Sequence, residues 1–275
     1  MELTYIHKLQ QLILQNMKVV HECFVRNNIR YYMISGSLLG SVRHGGFIPW
    51  DDDFDIAIPR PDYERLIEHS GEILPEYLEF VCGEKNPDYP LQFGKIQDAR
   101  TTVIEKKFRN DLGGVYIDVF PLDGVPENPL VQKKHLLEFK RHYKRLYLTH
   151  RDPYKHGHGL RAIIPLLLRK FVSKRKAHQK MRDFLLSCSY DTSKYISPHR
   201  HHTTKIFPKS VYGDPQLLRF EDTEFYGVAD PEQYLSLYYG DYMKVPSPEN
   251  RRQHNFHYIN LALPYRQYKS SEQAE

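Results

Sequence analysis

Apolar residues near the start of the chain recur every three or four positions: Ile6, Leu9, Ile13, Met17, Val20 and Phe24. That spacing marks one face of an α-helix, and Asn27-Asn28 ends it. Residues 30–34, Arg-Tyr-Tyr-Met-Ile, read as a short strand. Ser35-Gly36-Ser37 offers a turn, with Ser37 placed to cap a short helix through Leu38, Leu39 and Val42 that His44-Gly45-Gly46 breaks. A second strand is predicted from Phe54 to Ile58, stopped by Pro59 and Pro61. Pro61 suits the first turn of a helix over 62–74, with Tyr63, Leu66 and Ile67 on its buried side. Further strands are predicted over 78–82, 92–97, 102–106 and 115–120. From about residue 128 the texture changes to long basic helical patterns over 129–150 and 160–187, joined by the polar stretch 151–159. The last eighty residues are rich in tyrosine and proline, with one clear helix over 231–239. The expected class is α+β: a core over 1–127 with a small mixed sheet and helices, and a mostly helical part over 128–275.

At 275 residues with 40% hydrophobic and 27% charged side chains, the composition is that of a globular protein and excludes wholesale disorder. No stretch approaches the roughly 18 apolar residues of a membrane span. Three scattered cysteines (Cys23, Cys82, Cys188) without metal spacing fit a reduced, cytoplasmic protein. The net charge of +5 is uneven: Lys133 to Arg182 holds sixteen Lys/Arg against Glu138 and Asp152. Such a basic segment suits a phosphate-bearing partner. Within it, Leu160, Ile163, Ile164, Leu167, Leu168 and Phe171 fall on one helical face. This fits a helix lying peripherally on an anionic membrane and fits a core-facing helix equally well; core packing with a basic outer face is the expectation, with Pro165 bending either. His156, His158, His199, His201 and His202 are expected in polar loops, binding nothing.

The segment Gly36–Ile58 carries the chemistry. Along an extended chain, Asp51, Asp53 and Asp55 project from one face and Asp52, Phe54 and Ile56 from the other. Three carboxylates aimed at one point repel one another, and a hard divalent cation removes the conflict; all-oxygen ligation favours Mg²⁺, Mn²⁺ or Ca²⁺ over zinc. The plain alternative is a solvated acidic turn, against which stand the apolar Phe54, Ile56, Ala57 and Ile58 of a partly buried strand and the upstream Gly-Ser turn. An EF-hand loop is excluded by Ile56 at its required glycine. The DDxxD reading of Asp51 to Asp55 needs a long helix, and glycosyltransferase Asp-x-Asp sites need more strands upstream. Gly157 to Ala162 fits the dinucleotide fingerprint by letter but follows no strand.

What remains is a strand, a Gly-Ser turn, a short helix and Asp-x-Asp on the next strand. This resembles the nucleotidyltransferase superfamily, whose third carboxylate comes from a later strand; Asp118, within Gly114 to Pro121, is the candidate. Ser37 to Gly40 through Arg43-His44, Phe47 to Ile56, Tyr116 to Gly124 and Tyr239 to Met243 are together similar to the LicD family of phosphocholine and polyol-phosphate transferases. The resemblance implies transfer of phosphocholine from CDP-choline to a sugar hydroxyl of a cell-surface glycan precursor, of teichoic acid or lipopolysaccharide type, with release of CMP. It implies Mg²⁺ or Mn²⁺ on Asp53, Asp55 and Asp118, with Asp51 ligating directly or orienting a bound water. The Gly36 and Ser37 backbone would cradle a phosphate oxygen, Arg43 and Lys95 would counter diphosphate charge, and Asp118 or a metal-bound base would take the acceptor proton. Trp50, Tyr238, Tyr239 and Tyr242 are candidates for an aromatic box around choline. The implied partners are a CDP-choline-type donor and a lipid-linked acceptor, with no nucleic acid, in the cytoplasm or at the inner face of the membrane. The carboxylates fit two rivals as well: nucleotidyl transfer from an NTP with pyrophosphate release, and, for the basic segment alone, a non-catalytic membrane- or nucleic-acid-binding module.

Overall fold

In a computed structural model, residues 3–107, 109, 111–200, 204–251 and 253–269 are described. The first apolar stripe forms α1 (Leu3–Arg26), and its six stripe residues are each at most 1% exposed. Asn28, at φ +52°, turns the chain into β1 (Tyr32–Met33). Helix α2 (Ser35–His44) begins three residues earlier than expected and is flanked by Ile34. The Ser37 hydroxyl therefore does not cap it; it accepts a hydrogen bond from the Asp55 backbone N–H at 2.8 Å. Gly45, at φ +72°, ends α2 in the left-handed conformation that a Cβ disfavours. Then follow β2 (Asp55–Pro59), α3 (Arg60–Ile73) and β3 (Leu78–Val81). Two expected strands merge into one, β4 (Gly94–Ile104), because an irregularity between Asp98 and Val103 lets the ladder shift register without breaking. β5 (Leu112–Val125) pairs with it.

The expected helix over 129–150 is α4 (Pro129–His150), capped by the Asn128 side chain. The one over 160–187 is two helices, α5 (Leu160–Phe171) and α6 (Lys174–Leu185), divided where the Ser173 side chain accepts from the Lys176 N–H and starts a new first turn. After these come β6 (Tyr195–Ser197), β7 (Phe207–Pro208), α7 (Lys209–Tyr212), β8 (Gln216–Phe220), β9 (Thr223–Gly227), α8 (Pro231–Tyr239), which is the helix expected over 231–239, and β10 (Tyr258–Asn260).

One mixed sheet joins both parts of the chain in the order β10-β4-β5-β2-β1-β9-β8, with β3 also on β4 and β6 on β5. β2 and β5 are parallel, whereas β4–β5 and β1–β2 are antiparallel. The fold is thus α+β with its sheet closed at both edges by residues beyond 128. The main core lies between α1, α3 and the sheet, and takes in Val115, Ile117 and Val119 of β5.

Two expectations change here. α5 does not turn its large apolar side chains into the core: Leu160, Ile164, Leu167 and Phe171 are exposed, while Ala162 and Pro165 are buried. His199 is not in a polar loop but 1% exposed, its Nε2 2.9 Å from His135 Nε2 and its Nδ1 3.6 Å from Asp123. His156 and His158 are exposed as expected, and His201 and His202 lie outside the described residues. Among the described residues, no helix is long and apolar enough to cross a membrane.

Candidate active site

Strand register builds the site. Asp55 of β2 lies opposite Asp118 of β5, and Asp118 lies opposite Lys95 of β4, so three charged residues form one row across three strands. Neighbours in such a row share a face with Cβ atoms about 5 Å apart. The backbone locks the register: Asp118 N–H donates to Phe54 O at 2.9 Å and Ile34 N–H to Asp55 O at 3.1 Å. Asp53, just before β2, joins them, and ligand oxygens of Asp53, Asp55 and Asp118 lie within 4.8 Å of one another. At that separation two unscreened carboxylates repel by about 4 kcal/mol at an effective dielectric near 20.

The strain appears as protonation. Burial first, and then Asp55, pushes the Asp53 carboxyl up to about 6. Asp118 is pushed up to about 7 by burial, with Asp55, Glu105 and Asp53 adding to it against the pull of Lys95. Asp51 is raised well above the carboxylate range by burial and by Asp53 and Asp55. Asp55 Oδ1 and Asp118 Oδ1 are buried without a hydrogen-bond partner. Buried carboxylate oxygens are ordinarily satisfied, so two orphans within one all-oxygen cluster fit a hard divalent cation such as Mg²⁺ or Mn²⁺.

Cations flank the row. Arg200 Nη1 donates to Asp55 Oδ2 at 2.6 Å and to the Ser35 hydroxyl, and its guanidinium lies 4.5 Å from the centre of the Phe120 ring. At the other end, Lys95 Nζ bonds Glu105, stands 3.5 Å from Asp118 Oδ1 and sits 3.1 Å over the Tyr116 ring. Arg109 bonds both Glu105 and Asp111. Burial opposes ionisation of Glu105, but Lys95 and Arg109 overcome it and hold the carboxyl below its ordinary range.

Asp52 points away from the trio, as alternation requires. Its carboxylate accepts from the backbone N–H and the Nδ1 of His254, both at 2.8 Å. Against the penalty of burial, Asp52 and Asp53 raise the imidazole to about 10. His254 is therefore a cationic clamp on the acidic turn, although it also lies close enough to Asp52 and Asp53 to form a second potential ligand group.

Asp53, Asp55, Asp118, Lys95, Arg200 and His254 line a cleft of about 820 Å³. Gly36 and Asp51 meet at its wall: a Cβ on residue 36 would fall 2.6 Å from Asp51 Oδ2, so any larger residue there displaces the Asp51 carboxylate. Asp51 lines the cleft but is not one of the three acids whose oxygens converge. Ser37 is buried and spends its hydroxyl on β2, while Ser35 lines the cleft beside Gly36. Arg43 reaches the cleft while donating to the Tyr242 carbonyl at 2.7 Å. Trp50 lines it with Arg251 at 4.2 Å over its ring. Tyr239 and Tyr242 line it too, and Tyr238 does so from the end of a stack with Tyr234 and Phe207.

The sequence reading missed Arg200, His254, Glu105 and Arg109. His254 lies beyond the Tyr239 to Met243 block, and no local pattern singles it out. Arg200 had only an arginine beyond a short apolar run.

The LicD/FKTN/FKRP nucleotidyltransferase domain matches residues 28–154, which include Asp53, Asp55 and Asp118. The chain is 29% identical over 255 residues to "Lipopolysaccharide cholinephosphotransferase LicD" of Haemophilus influenzae, covering 90% of this chain and 94% of that protein. It is 29% identical over 166 residues to "Ribitol 5-phosphate transferase FKRP" of Homo sapiens, covering 57% of this chain and 27% of that one. A 63-residue stretch, 23% of this chain, is 49% identical to an uncharacterized protein of Rickettsia prowazekii. The Asp53–Asp55–Asp118 cluster lies inside the matched domain, and the chain is similar to the LicD family over residues 28–154 and to one LicD protein along most of its length.

Proposed function

We propose that this chain transfers phosphocholine from CDP-choline to a sugar hydroxyl of a lipid-linked cell-surface glycan precursor and releases CMP. The observation that carries the reading is the convergence of Asp53, Asp55 and Asp118, with buried oxygens on Asp55 and Asp118 that make no hydrogen bond, in the lining of a cleft that also holds cations and aromatics. The head group is carried over from the H. influenzae relative, which matches over 94% of its length.

Asp53, Asp55 and Asp118 would hold Mg²⁺ or Mn²⁺. A bound divalent ion supplies charge neutralisation for phosphate oxygens in the transition state. The chain's own residues do the rest. The Gly36 and Ser37 N–H groups, in the first turn of α2, would meet a phosphate oxygen. Arg43 and Arg109 bring positive charge to the cleft, while Arg200 and Lys95 hold Asp55 and Asp118 in place. The acceptor oxygen forms a bond to the phosphorus that carries choline, the bond from that phosphorus to the bridging oxygen breaks, and CMP leaves with the electron pair. Asp118, or a base held by the metal, would take the acceptor's proton. Tyr239, Tyr242 and Trp50 supply aromatic faces for a quaternary ammonium.

Incubation with CDP-choline, CDP-ribitol, CDP-glycerol and, separately, CTP tests the reading, with CMP and pyrophosphate as readouts. CMP from CDP-choline is expected with wild type and not with Asp55→Asn. Pyrophosphate from CTP, with no CMP from any donor, would replace it with nucleotidyl transfer.

A further inference from the structure

A helix that completes a core turns its large apolar side chains inward and leaves small or polar ones outside. α5 does the reverse. Ala162 is 2% exposed and Pro165 is buried, whereas Leu160 is 83%, Ile164 63%, Leu167 52% and Phe171 74% exposed. The helix is nevertheless fixed in place. Arg169 donates to the Thr149 carbonyl at 3.1 Å and to the Arg151 carbonyl at 2.6 Å, strapping α5 to the end of α4. The outward apolar ridge therefore has a set direction.

Charge says what covers the ridge. From Pro153 through Arg182 the chain holds nine Lys/Arg and no Asp or Glu. Arg161, Lys170, Arg175 and Lys176 are among the exposed ones. A second copy of this chain would bring the same cations against themselves. A nucleic acid would use the cations and leave the ridge in water. An anionic bilayer uses both, with acyl chains taking Leu and Phe and headgroup phosphates taking Lys and Arg, whose aliphatic stems lie along the boundary.

We propose that α5 is a membrane-docking helix that lies in the plane of an anionic lipid surface. Leu160, Ile164, Leu167 and Phe171 enter the acyl boundary, and the basic residues around them meet the headgroups. α4, to which α5 is strapped, also lines the catalytic cleft with Tyr143, so docking brings the cleft toward the lipid. The inference is independent of which donor the cleft takes.

The test is sedimentation of the full chain with vesicles of phosphatidylcholine alone or containing about 30% phosphatidylglycerol, without nucleotide. Wild type is expected to partition onto the anionic vesicles only, and less at high salt. The triple variant Leu160→Gln/Ile164→Gln/Leu167→Gln should lose about tenfold or more of that partitioning while keeping its melting temperature, since all three positions are exposed. Lys170→Glu with Arg175→Glu should weaken it on anionic vesicles alone. The inference is overturned if wild type stays in the supernatant, if the triple variant sediments like wild type, or if the triple variant instead converts a dimer to a monomer. CMP release from a soluble donor is read separately, so failure of docking and failure of the transfer reaction remain distinguishable.

Discussion

Asp118 and Asp123 sit on one strand, both buried, and alternation places them on opposite faces of β5. Their surroundings make them different groups. Asp123 accepts a two-pronged grip from Arg60, Nε at 2.6 Å and Nη2 at 3.0 Å, with His199 beside it. Burial alone would raise its carboxyl, and Arg60 overcomes this and holds it below the ordinary range. Asp118 has Lys95 at 3.5 Å, shared with Glu105, and two carboxylates as its other neighbours; its carboxyl rises to about 7. The first is a closed ion pair and the second an open site. Burial of an acid does not by itself mark function; the uncompensated charge does.

The largest expected effect is on the closed pair. Asp123→Ala strips the buried Arg60 guanidinium of its two-pronged partner, leaving Glu64 at 3.2 Å as its remaining carboxylate contact, and should destabilise the fold by about 3–5 kcal/mol in chemical denaturation. Replacing both partners with apolar residues, as in Arg60→Met/Asp123→Leu, should recover most of that loss, because no charge is then stranded. If the single and double variants are equally unstable, the ion-pair account of Asp123 fails.

On the open side the same kind of change behaves in the opposite way. Asp118→Asn should leave metal-free stability equal or higher, since one repelling charge is gone and Lys95 keeps Glu105 as its partner. CMP release should nevertheless fall by about a hundredfold or more, given the several kcal/mol that metal-assisted charge stabilisation contributes. A loss of stability comparable to that of Asp123→Ala would make the cluster structural.

The two regions should also titrate with opposite signs. In the metal-free fold, Asp53 and Asp118 bind protons up to about 6 and 7, while unfolded carboxyls release theirs near ~4. The folded state then holds more protons, so these groups add stability as pH falls from about 7 toward 4, and remove it as pH rises. His135, beside His199, is lowered to about 4 by burial and by that neighbour. There the unfolded chain takes up a proton near ~6.5 that the fold refuses, so stability is lost as pH falls through the same window. Melting profiles of wild type, Asp118→Asn and His135→Gln should separate the two slopes. Identical profiles for wild type and Asp118→Asn would refute the raised Asp118.

The smallest effect concerns support rather than charge. Ser37→Ala removes the hydroxyl that accepts from Asp55 N–H and should lower stability by about 1–2 kcal/mol, with a modest loss of CMP release.

Much of this was legible in the chain. The α1 stripe, the α3 and α4 patterns, the Asp-x-Asp motif and the strand around Asp118 are local periodicities, and the structure has those elements. The site's cations were not legible. Arg200 reaches Asp55 across 145 positions and His254 reaches Asp52 across 202, distances over which no local pattern operates. Lys95 was visible, but its partner Glu105, and the Arg109 that pairs with Glu105, arrive through the long β4–β5 hairpin. α5 misled for a different reason: periodicity identifies an apolar face and says nothing about what that face meets. Ser37 failed as a cap because the strand alongside it had a stronger need for its oxygen.

The central claim is that Asp53, Asp55 and Asp118 form a site for a divalent cation. Its most direct test is calorimetric titration of Mg²⁺ into wild type, Asp55→Asn and Asp123→Asn, each with and without CDP-choline. The account predicts saturable binding to wild type that tightens with the donor, loss of that binding in Asp55→Asn, and its retention in whatever fraction of Asp123→Asn remains folded. Absence of saturable binding to wild type in both conditions, or undiminished binding to Asp55→Asn, would contradict it.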